Sequence, residues 1–170
     1  MGYSFYEIYI TAQRAFRAMG FPFGADEDAG FIIAWLELNH FNGLEILYKL
    51  IKTINQKYDG VIEIDNLNKK IDFKNITILM KGSGLVDYLQ SISNLKKVTS
   101  ANIKNCQDGI LFLPLLYKIS NKNNCIELNF RISKNEINKY IIKNREIFFE
   151  SLINKNLLID NDIDIIIDHN

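Results

Sequence analysis

Phe21-Pro22-Phe23-Gly24-Ala25-Asp26-Glu27-Asp28-Ala29-Gly30, continued by the apolar run Phe31-Ile32-Ile33-Ala34-Trp35-Leu36-Glu37-Leu38, is the stretch whose reading decides how the chain is organised. Pro22 fixes its own backbone and keeps Phe21 extended, so the opening residues form a rigid corner. A helix is expected from Ala25 to Leu38. Asp26, Glu27 and Asp28 fall in its first turn, where free amides and the positive end of the helix dipole stabilise each carboxylate by about 0.3–1 kcal/mol. From Ala29 onward the helix is apolar nearly all round. Both faces must be covered, either by layers of its own domain or by a second chain. Gly30 and Ala34 share a face that lets a neighbouring backbone approach, and Phe31 and Trp35 give the adjoining face its bulk. The plain reading is a central core helix; the sharper one makes Phe31, Ala34, Trp35 and Leu38 an interface.

Working outward, Ser4 to Met19 begins with Ser-x-x-Glu, a capping box formed by Ser4 and Glu7. Phe5, Ile8, Ala12, Ala15, Phe16 and Met19 then recur at helical spacing, and Gly20 supplies the left-handed stop. Asn39 to Gly43 breaks the second helix, and Leu44 to Gln56 makes a third with Leu44, Leu47, Tyr48, Ile51 and Ile54 on one side. Three helices joined this tightly should form one layer.

The texture changes after Gly60. Val61–Ile64 and Ile71–Phe73 alternate as strands, and Ile76–Met80 reads as a third that runs into a Lys81-Gly82-Ser83-Gly84 turn and a helix from Leu85 to Ile92. Val98–Ile103 is a short strand candidate. Pro114 would forfeit a ladder donor, which favours a helix or turn-and-helix over Asp108–Ser120. Cys125–Ile132 alternates as a strand, Asn135–Asn154 follows a helical pattern with a break near Asn144, and Leu157–Ile167 is a final strand. The expected class is α+β: an N-terminal three-helix layer (1–57) packed on a small mixed or antiparallel sheet with further helices (58–170), all in a single domain.

Composition narrows the function. The 170 residues carry 20 acidic and 20 basic side chains and are 48% hydrophobic, which argues against disorder and against a polyanion-binding protein, so no nucleic-acid partner is expected. There is no signal-like start and no apolar run long enough to span a bilayer, so a cytoplasmic protein without membrane attachment is expected. Cys106 and Cys125 read as free thiols.

The motif Arg17, Gly20, Gly24, Ala25, Glu27, Asp28, Ala29, Gly30, Trp35 and Leu36 resembles a small bacterial family of soluble proteins of unknown function. Gly82-x-x-Leu85-x-Asp87, Leu113-Pro114-Leu115 and the terminal Asp160-Asn161-Asp162 extend the resemblance. Ala34 stands where that family tends to have Arg, and Leu79-Met80 where it has Cys-Pro. The resemblance implies a shared fold and brings no activity with it. The first two helices also resemble the lead segment of malate- and lactate-type dehydrogenases outside the Rossmann class. Asn39-His40-Phe41 stands near where those enzymes place Ser-His-Gly, and that departure argues against the resemblance.

Candidate sites divide between ligand and metal chemistry. Glu27, Asp28, Gly82, Ser83, Gly84 and Asp87 form a candidate ligand-binding set for a pocket between the helical layer and the sheet; within it the Lys81–Gly84 turn can cradle a phosphate with its amides, although it lacks the ending of a P-loop and the third glycine of a dinucleotide fingerprint, and a tight turn is the plainer reading. Asp160, Asp162 and Asp164 would line one face of a strand. Mg2+ or Ca2+ would offset their mutual repulsion, although a calcium loop would need Gly where Ile165 stands, and an exposed acidic face is the plainer reading. No cofactor is otherwise expected. His40 beside Glu37 could exchange protons, against the plainer role of a histidine at a helix end; His169 falls in a terminus expected to fray. No coherent catalytic set emerges. The chain reads first as a non-catalytic interaction or accessory subunit that docks on a protein partner or forms a homo-oligomer, and second as a small enzyme or ligand-binding domain with an acidic, metal-assisted site.

Overall fold

The computed structural model of the chain describes residues 2–54, 60–65, 69–106, 108–133, 136–153 and 163–169. Three helices come first, α1 (Phe5–Ala18), α2 (Ala25–Leu38) and α3 (Gly43–Ile54). Then follow β1 (Glu63–Asp65), β2 (Lys70–Asp72), α4 (Ile78–Leu95), β3 (Val98–Lys104), a 3-10 turn at Gly109–Phe112, α5 (Leu113–Ile119), β4 (Asn124–Ser133), β5 (Glu136–Lys143), β6 (Glu146–Ile153) and β7 (Ile163–His169). The fold is α+β, with helices on a mixed seven-stranded sheet of order β1-β2-β3-β7-β4-β5-β6. The parallel pair β2 and β3 is joined by α4 as a crossover, and every other neighbouring pair is antiparallel. The last strand lies inside the sheet. Its Ile163, Ile165 and Ile167 are buried against the helices while Asp164 and Ile166 are half-buried on the opposite face, the period of two that a strand dictates.

The capping box opens α1: the Glu7 amide donates to Ser4 Oγ at 3.3 Å and the Ser4 amide to Glu7 Oε2 at 2.8 Å. The Ser4 amide, and the Ser4 hydroxyl that donates to the same Oε2 at 2.8 Å, hold the Glu7 carboxyl below its ordinary range. Gly20 and Gly24 sit at φ 93° and 90°, a backbone that glycine adopts without strain, and they make the corner between α1 and α2.

α2 is the core helix. α1, α3, α4 and α5 all pack on it, and Ala29, Ile32, Ile33, Ala34 and Leu36 have no solvent exposure. Close approach of α1 depends on Gly30, where an added Cβ would lie 3.1 Å from the Tyr9 carbonyl oxygen. The expectation that Ala34 and Trp35 form an interface is corrected. Ala34 is fully covered, and Trp35 stacks on Phe41 at 6.1 Å and leans on Tyr117 of α5 at 5.1 Å. Phe31 is half-buried and only Leu38 is exposed.

Two further readings change. Ile76–Met80 is not a strand and Lys81–Gly84 is not a turn. Thr77 caps α4 by accepting the Leu79 amide at 3.2 Å, and the glycines lie within the helix. A Cβ on Gly82 would fall 2.6 Å from Ile78 Cγ2 and 3.1 Å from Leu115 Cδ1, so the residue lets α4 seat against α5. The helix expected over Asn135–Asn154 is instead the hairpin β5–β6, turned at Asn144 and Arg145 with φ 50° and 61°. Two successive left-handed residues give the turn the twist a two-residue hairpin needs. Pairing with β4 along Cys125–Ser133 decides the matter; the isoleucine spacing suits either structure.

Candidate ligand-binding site

The α1–α2 corner is fixed by an ion pair between the buried carboxylate of Asp26 and the half-exposed guanidinium of Arg17. Asp26 has no solvent exposure; its Oδ2 receives Arg17 Nε at 2.9 Å and Arg17 Nη2 at 2.7 Å, and its Oδ1 receives the Gly24 amide at 3.1 Å. Gln13 Nε2 stands 3.4 Å from Oδ2, and the guanidinium lies 4.7 Å over the Phe23 ring. This arrangement sets where α2 begins, and so where Asp28 points. Burial and the neighbouring carboxylates of Glu27, Asp26 and Asp28 push the Tyr9 hydroxyl up.

A cleft of about 440 Å³ opens between the start of α2, the middle of α4, the end of α5 and the β5–β6 turn. Asp28 of α2 and Ser83, Val86, Asp87 and Gln90 of α4 line it together with Leu115, Lys118 and Ile119 of α5, the following Ser120 and Asn121, and Arg145 of the hairpin turn. Ser120 and Asn124 hold the end of α5 and the hairpin turn in place. Ser120 Oγ donates to the Tyr117 carbonyl at 3.0 Å and accepts the Arg145 amide at 3.1 Å, which ties the hairpin turn to α5. Asn124 Oδ1 accepts the Asn121 amide at 2.8 Å while its Nδ2 donates to the Ile119 carbonyl at 3.2 Å. Among the described residues, neither the carboxylates of Asp28 and Asp87 nor the cations of Lys118 and Arg145 form an ion pair within 4 Å; Lys118 Nζ lies 5.6 Å from the Phe31 ring centroid.

Of the ligand-binding set read from sequence, Asp28, Ser83 and Asp87 converge on this cleft. Glu27 and Gly84 are exposed away from it, and Gly82 is buried against α5. Lys118 and Arg145 escaped sequence reasoning, because only the hairpin fold brings position 145 beside α5. Arg17 and Asp26 escaped it as a pair, although both flank the Gly20–Gly24 corner. Asp160 and Asp162 lie outside the described residues; Asp164 accepts from Asn102 Nδ2 at 2.8 Å across the β3–β7 pair. Among the described residues no group of three or more His, Cys, Asp or Glu side chains is gathered to hold a metal. Glu37 does not serve His40: its Oε2 accepts the Leu44 amide at 2.9 Å and caps α3, while His40 is exposed. His169 does not fray but lies in β7, with Nε2 2.9 Å from Ser93 Oγ.

Residues 3–84 match DUF3726, a family described as protein of unknown function. That match covers most of the helical layer and the start of α4, consistent with the family of unknown function that the N-terminal motif resembles. No curated protein matches the chain. Among solved structures, malate dehydrogenase from Pyrococcus horikoshii OT3 superposes with a TM-score of 0.65 at 10% identity, over 90% of this chain and 53% of that one. Malate dehydrogenase from Entamoeba histolytica does so with a TM-score of 0.65 at 11% identity, over 94% of this chain and 50% of that one. The chain therefore spans about half the length of these proteins and is similar to them in fold. Among the described residues no helix is long and apolar enough to cross a membrane.

Proposed function

We propose that this chain is a ligand-binding domain whose site is the cleft between α2, α4, α5 and the β5–β6 turn, and that its ligand is a small zwitterion such as a free amino acid. The observation that carries this is the presence of opposite charges in one concavity: Asp28 and Asp87 line it together with Lys118 and Arg145, and none of the four forms an ion pair among the described residues. A purely anionic ligand would meet the two carboxylates, and a purely cationic one the two bases. A molecule bearing an ammonium and a carboxylate satisfies both signs of charge, with Ser83 and Gln90 in the same lining to take neutral hydrogen bonds. A thermal-shift comparison of free amino acids with their N-acetylated and carboxamide derivatives tests it. A ligand at a hundred times its Kd adds about 2.7 kcal/mol, which raises Tm by about 5–10 °C in a chain of this size. Each blocked derivative should lose most of that shift. Equal shifts from the free and blocked forms would reject the zwitterion reading.

An accessory role through protein contact is the second reading, favoured now by α3 rather than α2. Leu44, Tyr48 and Ile51 are 38%, 62% and 44% exposed and follow one another at helical spacing, an apolar stripe that a partner or a second copy of the chain would cover. Light scattering of the purified chain and of Tyr48→Glu tests it: a dimer mass that falls to the monomer supports this reading, and a monomer throughout leaves self-association without support.

A further inference from the structure

The sheet ends on two unlike edges. β1 is three residues long, whereas β6 at the other end runs for eight, Glu146–Ile153, and pairs only with β5. Edge strands are ordinarily guarded by brevity, proline, lysine or a bulge. β6 contains neither proline nor lysine, and its register with β5 is unbroken. Asn144 and Arg145 are the two left-handed residues between Lys143 and Glu146, and a turn of that kind closes on a hydrogen-bonded pair. Bonded and non-bonded pairs alternate from there along the hairpin, so the amides and carbonyls of Glu146, Phe148 and Glu150 point to β5, and those of Ile147, Phe149 and Ser151 point away from the sheet. Among the described residues none of these outward groups has a backbone partner. The side chains stop as abruptly: the aromatic row Phe130, Tyr140 and Phe149 crosses β4, β5 and β6 with successive ring centroids 5.8 Å and 5.1 Å apart, and its last member is 55% exposed.

We infer that β6 is completed by the β6 of a second copy of the chain, antiparallel about a two-fold axis at Phe149, so that two sheets join into one. The strand's own sequence selects this partner and this register. Residues with outward-facing amides must meet one another across the axis, which puts the axis at Phe148, Phe149 or Glu150, or nearer a strand end where fewer residues overlap. An axis at Phe148 sets Glu146 directly opposite Glu150 of the second copy, and an axis at Glu150 sets that residue opposite itself; like charges so opposed are destabilising. At Phe149 no like charges are directly opposed. Phe149 meets its own copy as a hydrogen-bonded pair and prolongs the aromatic row, Ile147 pairs with Ser151, and Phe148 stands opposite Glu150. The same strand serves both sides, as a two-fold interface requires. This contact is separate from the exposed stripe of α3 and is independent of the ligand-binding reading.

Light scattering of the purified chain across a range of concentrations, with variants of β6, tests the inference. The wild type should reach twice the mass of one chain. Phe149→Lys and Phe149→Glu change an exposed ring and each set like charges across the axis, so each alone should be a monomer, while an equimolar mixture of the two should recover the dimer mass. Ser151→Pro removes an outward-facing amide that makes no bond to β5, and it should also give a monomer. Hydrogen exchange of the unaltered chain needs no variant: the Phe149 and Ser151 amides should exchange about ten-fold more slowly in concentrated protein than after dilution to the monomer, while the Phe148 amide, bonded to β5, changes little. A monomer at every concentration, a dimer that survives Ser151→Pro, a mixture of the charged variants that stays monomeric, exchange at Phe149 that ignores concentration, or a dimer lost instead in Tyr48→Glu would overturn the inference.

Discussion

Replacing either member of the Arg17–Asp26 pair should give unequal losses, with the exposed residue the more costly one to remove. The Asp26 side chain has no exposure and that of Arg17 has 49%. Asp26→Asn returns the guanidinium to water and forfeits the charged character of the contacts at 2.7 Å, 2.9 Å and 3.1 Å, a loss of about 1.5–3 kcal/mol. Arg17→Met leaves a carboxylate buried with only the Gly24 amide and the long Gln13 contact, and breaking a buried pair this way costs about 3–5 kcal/mol. Phe23→Ala isolates the ring contact of the guanidinium, worth about 0.5–1 kcal/mol at an exposed site. Urea unfolding of the wild type, both single variants and the Arg17→Met/Asp26→Asn double variant closes the cycle. The double variant buries no unpaired charge, so it should fall short of the summed losses by about 2–3 kcal/mol. Additive losses, or Arg17→Met costing less than Asp26→Asn, would refute the reasoning.

Other consequences are smaller and separable. Arg145→Gly relieves a left-handed residue in the hairpin turn and should raise Tm by about 2–4 °C, about 1 kcal/mol, while removing one cation of the cleft; a thermal melt reads the first effect and amino-acid titration the second. Gly82→Ala drives a Cβ against Ile78 and Leu115 and should cost about 1–3 kcal/mol despite the better helix former, read as a lower urea midpoint. Hydrogen bonds from Asn105 Nδ2 and the Lys74 amide, each 2.8 Å, hold the Asp72 carboxyl below its ordinary range. With the folded group more acidic than the unfolded one, at about 3.9, this contribution is complete above the unfolded value and lost as pH falls through the folded one. Asp72→Asn should therefore flatten the stability profile below about pH 4, measured by unfolding at a series of pH values.

How much was legible in the chain follows from how local the deciding interactions are. α1 and α2 announce themselves because their stops, caps and first-turn charges lie within a few residues of one another; both helices have the extents their patterns imply. The hairpin did not, since Ile137, Ile141 and Ile142 fit either a helical or an alternating period, and the register with β4 that selects the strand comes from residues about a dozen positions away. Gly82 and Gly84 looked like punctuation. The first is instead a contact surface for Leu115, a role no local pattern can carry. Asp28, Ser83 and Asp87 belong to one candidate set in the sequence, with Ser83 in an expected glycine turn; α4 runs through that turn instead, and its Ser83 and Asp87 meet Asp28 of α2 at one cleft. The absence of Ser-His-Gly near Asn39-His40-Phe41 argues locally against a likeness to malate dehydrogenases. A fold resides in the distributed core and survives the loss of one site feature, and the superpositions follow the core.

The most direct trial of the zwitterion-binding account is amide chemical-shift mapping of the uniformly labelled chain with a pool of free amino acids at millimolar concentration. The account predicts saturable shifts concentrated at Ser83, Asp87, Ser120, Asn121 and Arg145, abolished in a Lys118→Met/Arg145→Gly variant. Shifts confined to α3, or none anywhere, would contradict it.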